Sequence, residues 1–239
     1  MLRPYKPHTM NDAPQLIRVD CHNHTYYSPD SILSPGTMLR RAKARGLNVI
    51  AVTDHNTVRG GLVAQELAAK RFPELRVIVG EEVRTADGEV LGLFLSQDIP
   101  RDLSAIETIE CIHAQGGVAG APHPFDPFRS GLRAEGLALI EGKLDFIEGL
   151  NARMVNAAHN EQAQEYAKAR GLPMSAASDA HSPREVGRCY VEMPDFETPA
   201  QFLQSLRSGT LRGRLSSPLI HLVSRYAMLR RALGWRPPA

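Results

Sequence analysis

Histidine and carboxylate residues recur in this chain at one kind of place, the end of a short apolar run. Leu16-Ile17-Arg18-Val19 reads as a strand and leads into Asp20-Cys21-His22-Asn23-His24. Residues 48–53 (NVIAVT) lead into Asp54-His55, and Arg76 to Val79 into Gly80-Glu81-Glu82. Val118 to Ala121 is followed by Pro122-His123-Pro124, Phe146-Ile147-Glu148 by Asn151, and Met174 to Ala177 by Ser178-Asp179-Ala180-His181. Helical segments separate these runs. Ser34-Pro35 is an N-cap with proline in the first turn of a helix that stops at Gly46, and a second helix carries Leu62, Leu67 and Ala68. Others are predicted over Leu103 to Ala114, Leu132 to Glu141, Val155 to Arg170 and Pro199 to Ser208. Asp87-Gly88, central to Val83–Leu95, predicts a hairpin that interrupts the rhythm, and Tyr190 to Met193 is a last strand. About seven strands alternating with helices argue for an α/β fold. A closed barrel is favoured over an open sheet because it gathers every strand's C-terminal end around one mouth.

Composition limits what such a fold serves. The 239 residues are 43% hydrophobic and 23% charged, with a net charge of +2, so no whole-chain attraction to nucleic acid or membrane follows. Three scattered cysteines form no disulfide framework, and no run reaches membrane-spanning length, so a cytoplasmic protein is expected. Residues 1–17 read as an N-terminal extension, 18–209 as the barrel and 210–239 as a tail. The tail has six arginines and no acidic residue. Leu219, Leu222, Val223, Tyr226 and Leu233 follow helical spacing there. It is read either as an amphipathic helix packed on the barrel or a second subunit, or as a basic surface for lipid or RNA.

Side chains two apart on a strand share a face, so Asp20, His22 and His24 can point together, with Cys21 opposite as a buried core residue. Paired imidazoles suit transition metals, and nearby carboxylates balance charge or orient the rings. Five of the nine histidines (His22, His24, His55, His123, His181) fall at strand ends. Together with Glu82 and Asp179 they predict a polynuclear metal site rather than a scatter of exposed loop histidines.

The motifs Asp20-Cys21-His22-Asn23-His24-Thr25, Val52-Thr53-Asp54-His55, Gly80-Glu81-Glu82-Val83, Pro122-His123-Pro124 and Ser178-Asp179-Ala180-His181 resemble, in order, those of the PHP (polymerase and histidinol phosphatase) family. The resemblance covers residues 18 to 195 and implies a distorted (β/α)7 barrel. It also implies two or three divalent ions (Mn, Fe or Zn) at the C-terminal ends of the strands. Carried over by position, one ion is held by His22, His24, Glu82 and Asp179, and a second by Glu82 as a bridge with His123. A third is held by Asp30, His55 and His181. Asp30 stands where some members have histidine. The segment Gly88-Glu89-Val90-Leu91-Gly92-Leu93 lacks a histidine that many relatives place after the bridging glutamate, so the second site is expected to be weak, completed by water, or empty.

The activity so implied is hydrolysis of a small phosphomonoester, such as a nucleotide or sugar phosphate, by a metal-activated water. Asp54 is a candidate proton acceptor or a support behind the ligands, or else a helix cap. Arg153, Arg129 and Arg184 are candidate phosphate donors, or else solvated loop arginines. Tyr26-Tyr27 is either a stacking platform for a base or sugar or a surface aromatic pair. The alternatives are an exonuclease on single-stranded nucleic acid, and a metal-loaded regulatory module without turnover.

Overall fold

A computed structural model describes residues 16–237. The N-terminal extension expected over 1–17 therefore lies outside the described residues up to 15. Residues 16 and 17 open β1 (Leu16–Asp20). There follow α1 (Pro35–Ala44), β2 (Val49–Val52), α2 (Arg59–Arg71), β3 (Arg76–Arg84), β4 (Glu89–Leu93), α3 (Ala105–Ala114), β5 (Val118–Ala121) and α4 (Arg133–Leu139). Then come β6 (Phe146–Asn151), α5 (Ala157–Arg170), β7 (Met174–Ala177), β8 (Cys189–Pro194), α6 (Pro199–Ser208), β9 (Thr210–Gly213) and, after a short 3-10 turn, α7 (His221–Ala232).

Helix boundaries follow local chemistry. Ser34 caps α1 by accepting from the Thr37 amide, with Pro35 in the first turn. Ser104 and Glu107 form a reciprocal capping box on α3, and α5 ends at Gly171 with φ 64°.

The sheet order is β7-β6-β5-β4-β3-β2-β1-β8-β9. The run from β1 to β7 closes on itself just beyond β1. The Cys21 amide donates to the Ala176 carbonyl (3.2 Å), the Asp179 amide to His22 (2.8 Å) and the His24 amide to Ala180 (3.0 Å). The result is an α/β fold with a nearly closed, distorted barrel. The distortion comes from the hairpin, because β4 runs antiparallel to both β3 and β5. β8, the expected last strand, pairs antiparallel with β1, and β9, a strand not expected within the stretch read as tail, pairs antiparallel with β8. A four-residue, largely exposed strand such as β9 offers little alternating pattern to detect.

Both sheet faces are covered. Ile50 and Val52 of β2 pack with Met38, Leu39 and Ala64 of the outer helices. Val49 and Ala51 join Val19, Cys21, Leu91, Phe146 and, from α6, Phe202 on the enclosed face. Cys21 is thus a buried core thiol. No helix among the described residues is long and apolar enough to cross a membrane.

Candidate metal centre

The closure between β1 and β7 brings His22, His24 and Asp179 together, and β3 brings Glu82. His22 and His24 face each other through their Nε2 atoms at 2.8 Å. Glu82 Oε2 lies 3.3 Å from each ring, and Asp179 Oδ1 lies 3.4 Å from His24 and 3.9 Å from His22. All four side chains are buried.

The outer ring nitrogens fix the protons. His22 Nδ1 lies 3.0 Å from Glu148 Oε1, a carboxylate that can only accept, so the proton is on Nδ1. His24 Nδ1 lies 3.1 Å from Ser28 Oγ, which gives its own proton to Asp54 Oδ1 at 2.7 Å and must therefore accept from the ring. With the rings neutral, both Nε2 atoms are lone pairs aimed at one point with two carboxylate oxygens. Four acceptors so placed need a cation between them, a proton or a metal ion. A tetrahedral ion with ligand bonds of about 2.1 Å sets ligand–ligand edges of ~3.4 Å, which the observed edges bracket.

The electrostatics favour a positive charge at this point. Burial disfavours a charged imidazole at His22, but Glu82, Asp179 and Glu148 outweigh it and hold that ring well above its usual range, so His22 takes a proton on Nε2 that a metal ion would have to displace. Burial likewise opposes the charge on Glu82, yet His22 and His55 hold its carboxyl well below the ordinary value.

The other expected ligands adjoin this cluster. His123 Nε2 meets Glu82 Oε1 at 2.8 Å, while its Nδ1 has no partner among the described residues. His55 sets Nδ1 3.1 Å from Glu82 Oε2 and Nε2 3.6 Å from Asp30 Oδ2. His181 Nε2 lies 2.9 Å from that same Asp30 oxygen, its Nδ1 donating to the Asp179 carbonyl. Glu82 therefore touches His22, His24, His55 and His123, whereas Glu81 points away, accepting from the Ile99 amide at 2.9 Å. His123 and Asp179 have φ of 28° and 50°, a region that side chains disfavour and that holding them in this cluster imposes.

Sequence reasoning passed over two carboxylates. Glu148, midway along β6, holds His22 and also accepts from the His123 amide (2.7 Å) and Asn151 Nδ2 (2.8 Å). Glu89 opens β4, in the segment that lacks the histidine of many relatives. Its carboxylate groups with His55 and Glu82 and lies 3.9 Å from His123 Nε2. Glu89 occupies a strand end, the signal that marks the ligands themselves, whereas Glu148 lies inside its strand.

The remaining expectations divide. Asp54 is neither a cap nor a free base. Its carboxylate accepts from the Thr25 amide (2.7 Å), Thr25 Oγ1 (2.6 Å), the Ser28 amide (3.2 Å) and Ser28 Oγ, so it shapes the loop carrying His24. Gly60 of α2 makes room, because a Cβ there would collide with Asp54 and Thr25. Arg129 reaches the cavity, but its guanidinium is engaged by Asp179, Asp126 (2.9 Å) and Asn151 (3.2 Å). Arg153 also lines it, buried, and pairs with Glu185 (3.0 Å) and Ser224 (2.9 Å). Arg184 is exposed and lies outside the cavity lining. Tyr26 and Tyr27 sit 5.1 Å apart, with Trp235 on Tyr26 and Arg59 over Tyr27.

The ligand cluster opens into a cavity of about 430 Å³. A cleft of about 890 Å³ adjoins it through Asp30, His55, Glu89 and Arg129, and is lined further out by Arg84 and Arg133.

Comparison with known proteins agrees with this geometry. The PHP domain family matches residues 20–171, and the PHP-associated family matches 157–211. An uncharacterised protein of Methanocaldococcus jannaschii is 43% identical over 146 residues, 57% of this chain and 82% of that protein. A 5'-3' exoribonuclease of Haemophilus influenzae is 30% identical over 121 residues, 46% of this chain and 43% of the enzyme. The crystal structure of a two-domain Bacteroides vulgatus protein, described as containing a predicted PHP-like metal-dependent phosphoesterase, superposes with a TM-score of 0.69 at 20% identity. The match covers 84% of this chain and 66% of that one. The chain thus spans less than half of the exoribonuclease and about two thirds of the two-domain protein. With its motifs, its barrel and a family match over most of its length, the chain belongs to the PHP family, whose members are metal-dependent phosphoester hydrolases.

Proposed function

We propose that the protein hydrolyses a small phosphomonoester, such as a nucleotide or sugar phosphate, at a divalent metal centre built around Glu82. The observation that carries this reading is the convergence of two ring nitrogens, from His22 and His24, and two carboxylate oxygens, from Glu82 and Asp179, on one point. These four would hold one ion. Glu82 and His123, completed by Glu89 where a histidine was expected, would hold a second, and Asp30, His55 and His181 a third. Burial and the neighbouring Glu82 raise the Glu89 carboxyl above its usual range, the mark of a like-charge pair that a cation would relieve. Mixed imidazole and carboxylate sets accept Mn, Fe or Zn.

Such ions, when bound, lower the pKa of a water and offset charge on the phosphoryl oxygens. The chain's own residues prepare that chemistry. Glu148 and Ser28 keep His22 and His24 in the Nδ1–H tautomer, and Arg129 with Asn151 turns one oxygen of Asp179 away from the cluster. Three free cysteines fit a reducing compartment, so the cytoplasm is the expected location.

A second reading, an exonuclease on single-stranded ends, is favoured by the open, arginine-lined cleft beside the cavity and by the similarity to the exoribonuclease. Phosphate release from nucleotides, sugar phosphates and short oligonucleotides, by chelator-stripped protein reloaded with Mn, Fe or Zn, separates the two. Turnover of one monoester class supports the first reading. Salt-sensitive digestion of oligonucleotides alone replaces it with the second. Tight metal binding without turnover of any substrate rejects both in favour of a regulatory module.

A further inference from the structure

Helix α7 lies outside both family matches, yet it forms part of the cavity wall. It does not dock by burying its apolar stripe, since Leu222, Tyr226 and Leu229 stay exposed while Ser224 and Ala227 face inward. Polar contacts seat it at two points. Near its C-terminal end, Arg231 Nη2 donates to the carbonyls of Tyr26 (2.8 Å) and Tyr27 (3.1 Å), in the loop between His24 and Asp30. Further back, Ser224 Oγ accepts from Arg153 Nη2, and Arg153 is tied to Glu185, which accepts from the His181 amide at 3.3 Å.

This seating puts His221, the first residue of α7, into the cavity beside His24, Asp30, Glu82 and Asp179. Its Nδ1 faces Arg153 Nη2 at 3.5 Å. A guanidinium keeps its protons and only donates. The facing Nδ1 is therefore the acceptor, and Nε2 carries the ring hydrogen. That Nε2 is buried and has no partner among the described residues. A buried donor without an acceptor is costly, so this N–H is placed to meet an acceptor brought into the cavity. Burial, with Arg153 and Arg129 nearby, holds this imidazole below its usual range, so the ring is neutral at neutral pH. The two arginines of the wall direct their forks at Asp126, Asp179 and Asn151 and at Glu185 and Ser224.

We propose that His221 is a substrate-binding residue whose Nε2–H donates to a non-reacting oxygen of the phosphoryl group held at the metal centre. The proposal rests on the phosphoester reading above and adds to it a residue from a helix that neither family match includes.

The test uses the full chain loaded with Zn, which is diamagnetic, and inorganic phosphate as the probe. Long-range ¹⁵N correlation spectra of histidine-labelled protein report the His221 tautomer, and a phosphate titration reports its contact. The expected result is an Nε2–H ring whose signal moves on phosphate addition. His221→Ala should weaken phosphate binding by about tenfold or more at unchanged Zn content, and His221→Gln, which keeps an N–H donor, should recover most of it. Wild-type affinity in folded His221→Ala overturns the assignment and leaves the phosphoester reading intact. An Nδ1–H tautomer in the wild type overturns it as well, even should the alanine variant fail to fold. A Zn-loaded wild type that neither binds phosphate nor releases it from any ester rejects the phosphoester reading and this proposal together.

Discussion

The two walls of the cavity are built on different principles. The inner wall comes from strand ends, where His22, His24, Glu82 and Asp179 are buried and each proton is fixed by Glu148, Ser28 or the backbone. The outer wall comes from α7. Here His221 is half-buried, and its Nε2 has no partner among the described residues. A set of satisfied, pre-aimed acceptors is built to hold ions tightly, and leftover polar atoms at a mouth are built for something that comes and goes. The inner wall should therefore govern metal content, and the outer wall substrate affinity.

The largest expected effect lies within the inner wall. His22→Ala/His24→Ala should lose bound metal and lower phosphoester turnover by on the order of a thousandfold or more, measured as phosphate release beside metal content. Retained metal in that variant would erase the distinction between the walls.

The neighbouring pair Glu81 and Glu82 gives a contrast within one strand. Burial pushes the Glu81 carboxyl up to about 8 from 4.5, the Ile99 amide only partly offsetting it, so the fold favours the neutral acid. Its stabilising contribution is complete below about pH 4.5 and is lost as pH rises through 8. Glu81→Gln should raise stability at pH 9 by on the order of 3 kcal/mol and leave it unchanged near pH 4, with metal content unaltered. Thermal melts across that range check this, and a pH-independent change would remove Glu81 as the cause.

Next in size, Glu148→Gln should weaken metal binding by roughly 10–100-fold, seen by competition with a chelator. The outer wall answers with the smallest change. Arg231→Met should raise KM a few-fold, on the scale of losing hydrogen bonds to two carbonyls, with kcat and metal content held. Metal loss in that variant would mean that α7 supports the inner wall after all. Arg184→Ala should alter neither quantity, since Arg184 is exposed and outside the cavity lining.

The same division explains how much the sequence discloses. The barrel and its inner wall are legible because each ligand ends an apolar run, and closure of the barrel does the rest. Asp87-Gly88 likewise announces the β3–β4 hairpin, where Gly88 takes φ 141°. Glu148 lies inside β6 and has no metal-ligand neighbour in sequence to draw attention. Glu89 is hidden by the expectation of an imidazole, although a carboxylate meets the same chemical need. The arginines' partners are hidden for a different reason. A place near a ligand or a strand end in sequence says nothing of where a long side chain finds its partner, and Arg153 finds Ser224 seventy-one residues away. The role of α7 is written only in such contacts, so no spacing in the chain announces it.

Glu82 is the residue on which the account turns, since it alone touches four of the five ring systems. The most direct measurement is metal content per chain in chelator-stripped protein reloaded with Mn, compared between wild type and Glu82→Ala. The account predicts at least two ions in the wild type and one or fewer in the variant, because the bridge between sites is gone. Equal metal content in a folded Glu82→Ala variant would contradict a centre organised around this carboxylate.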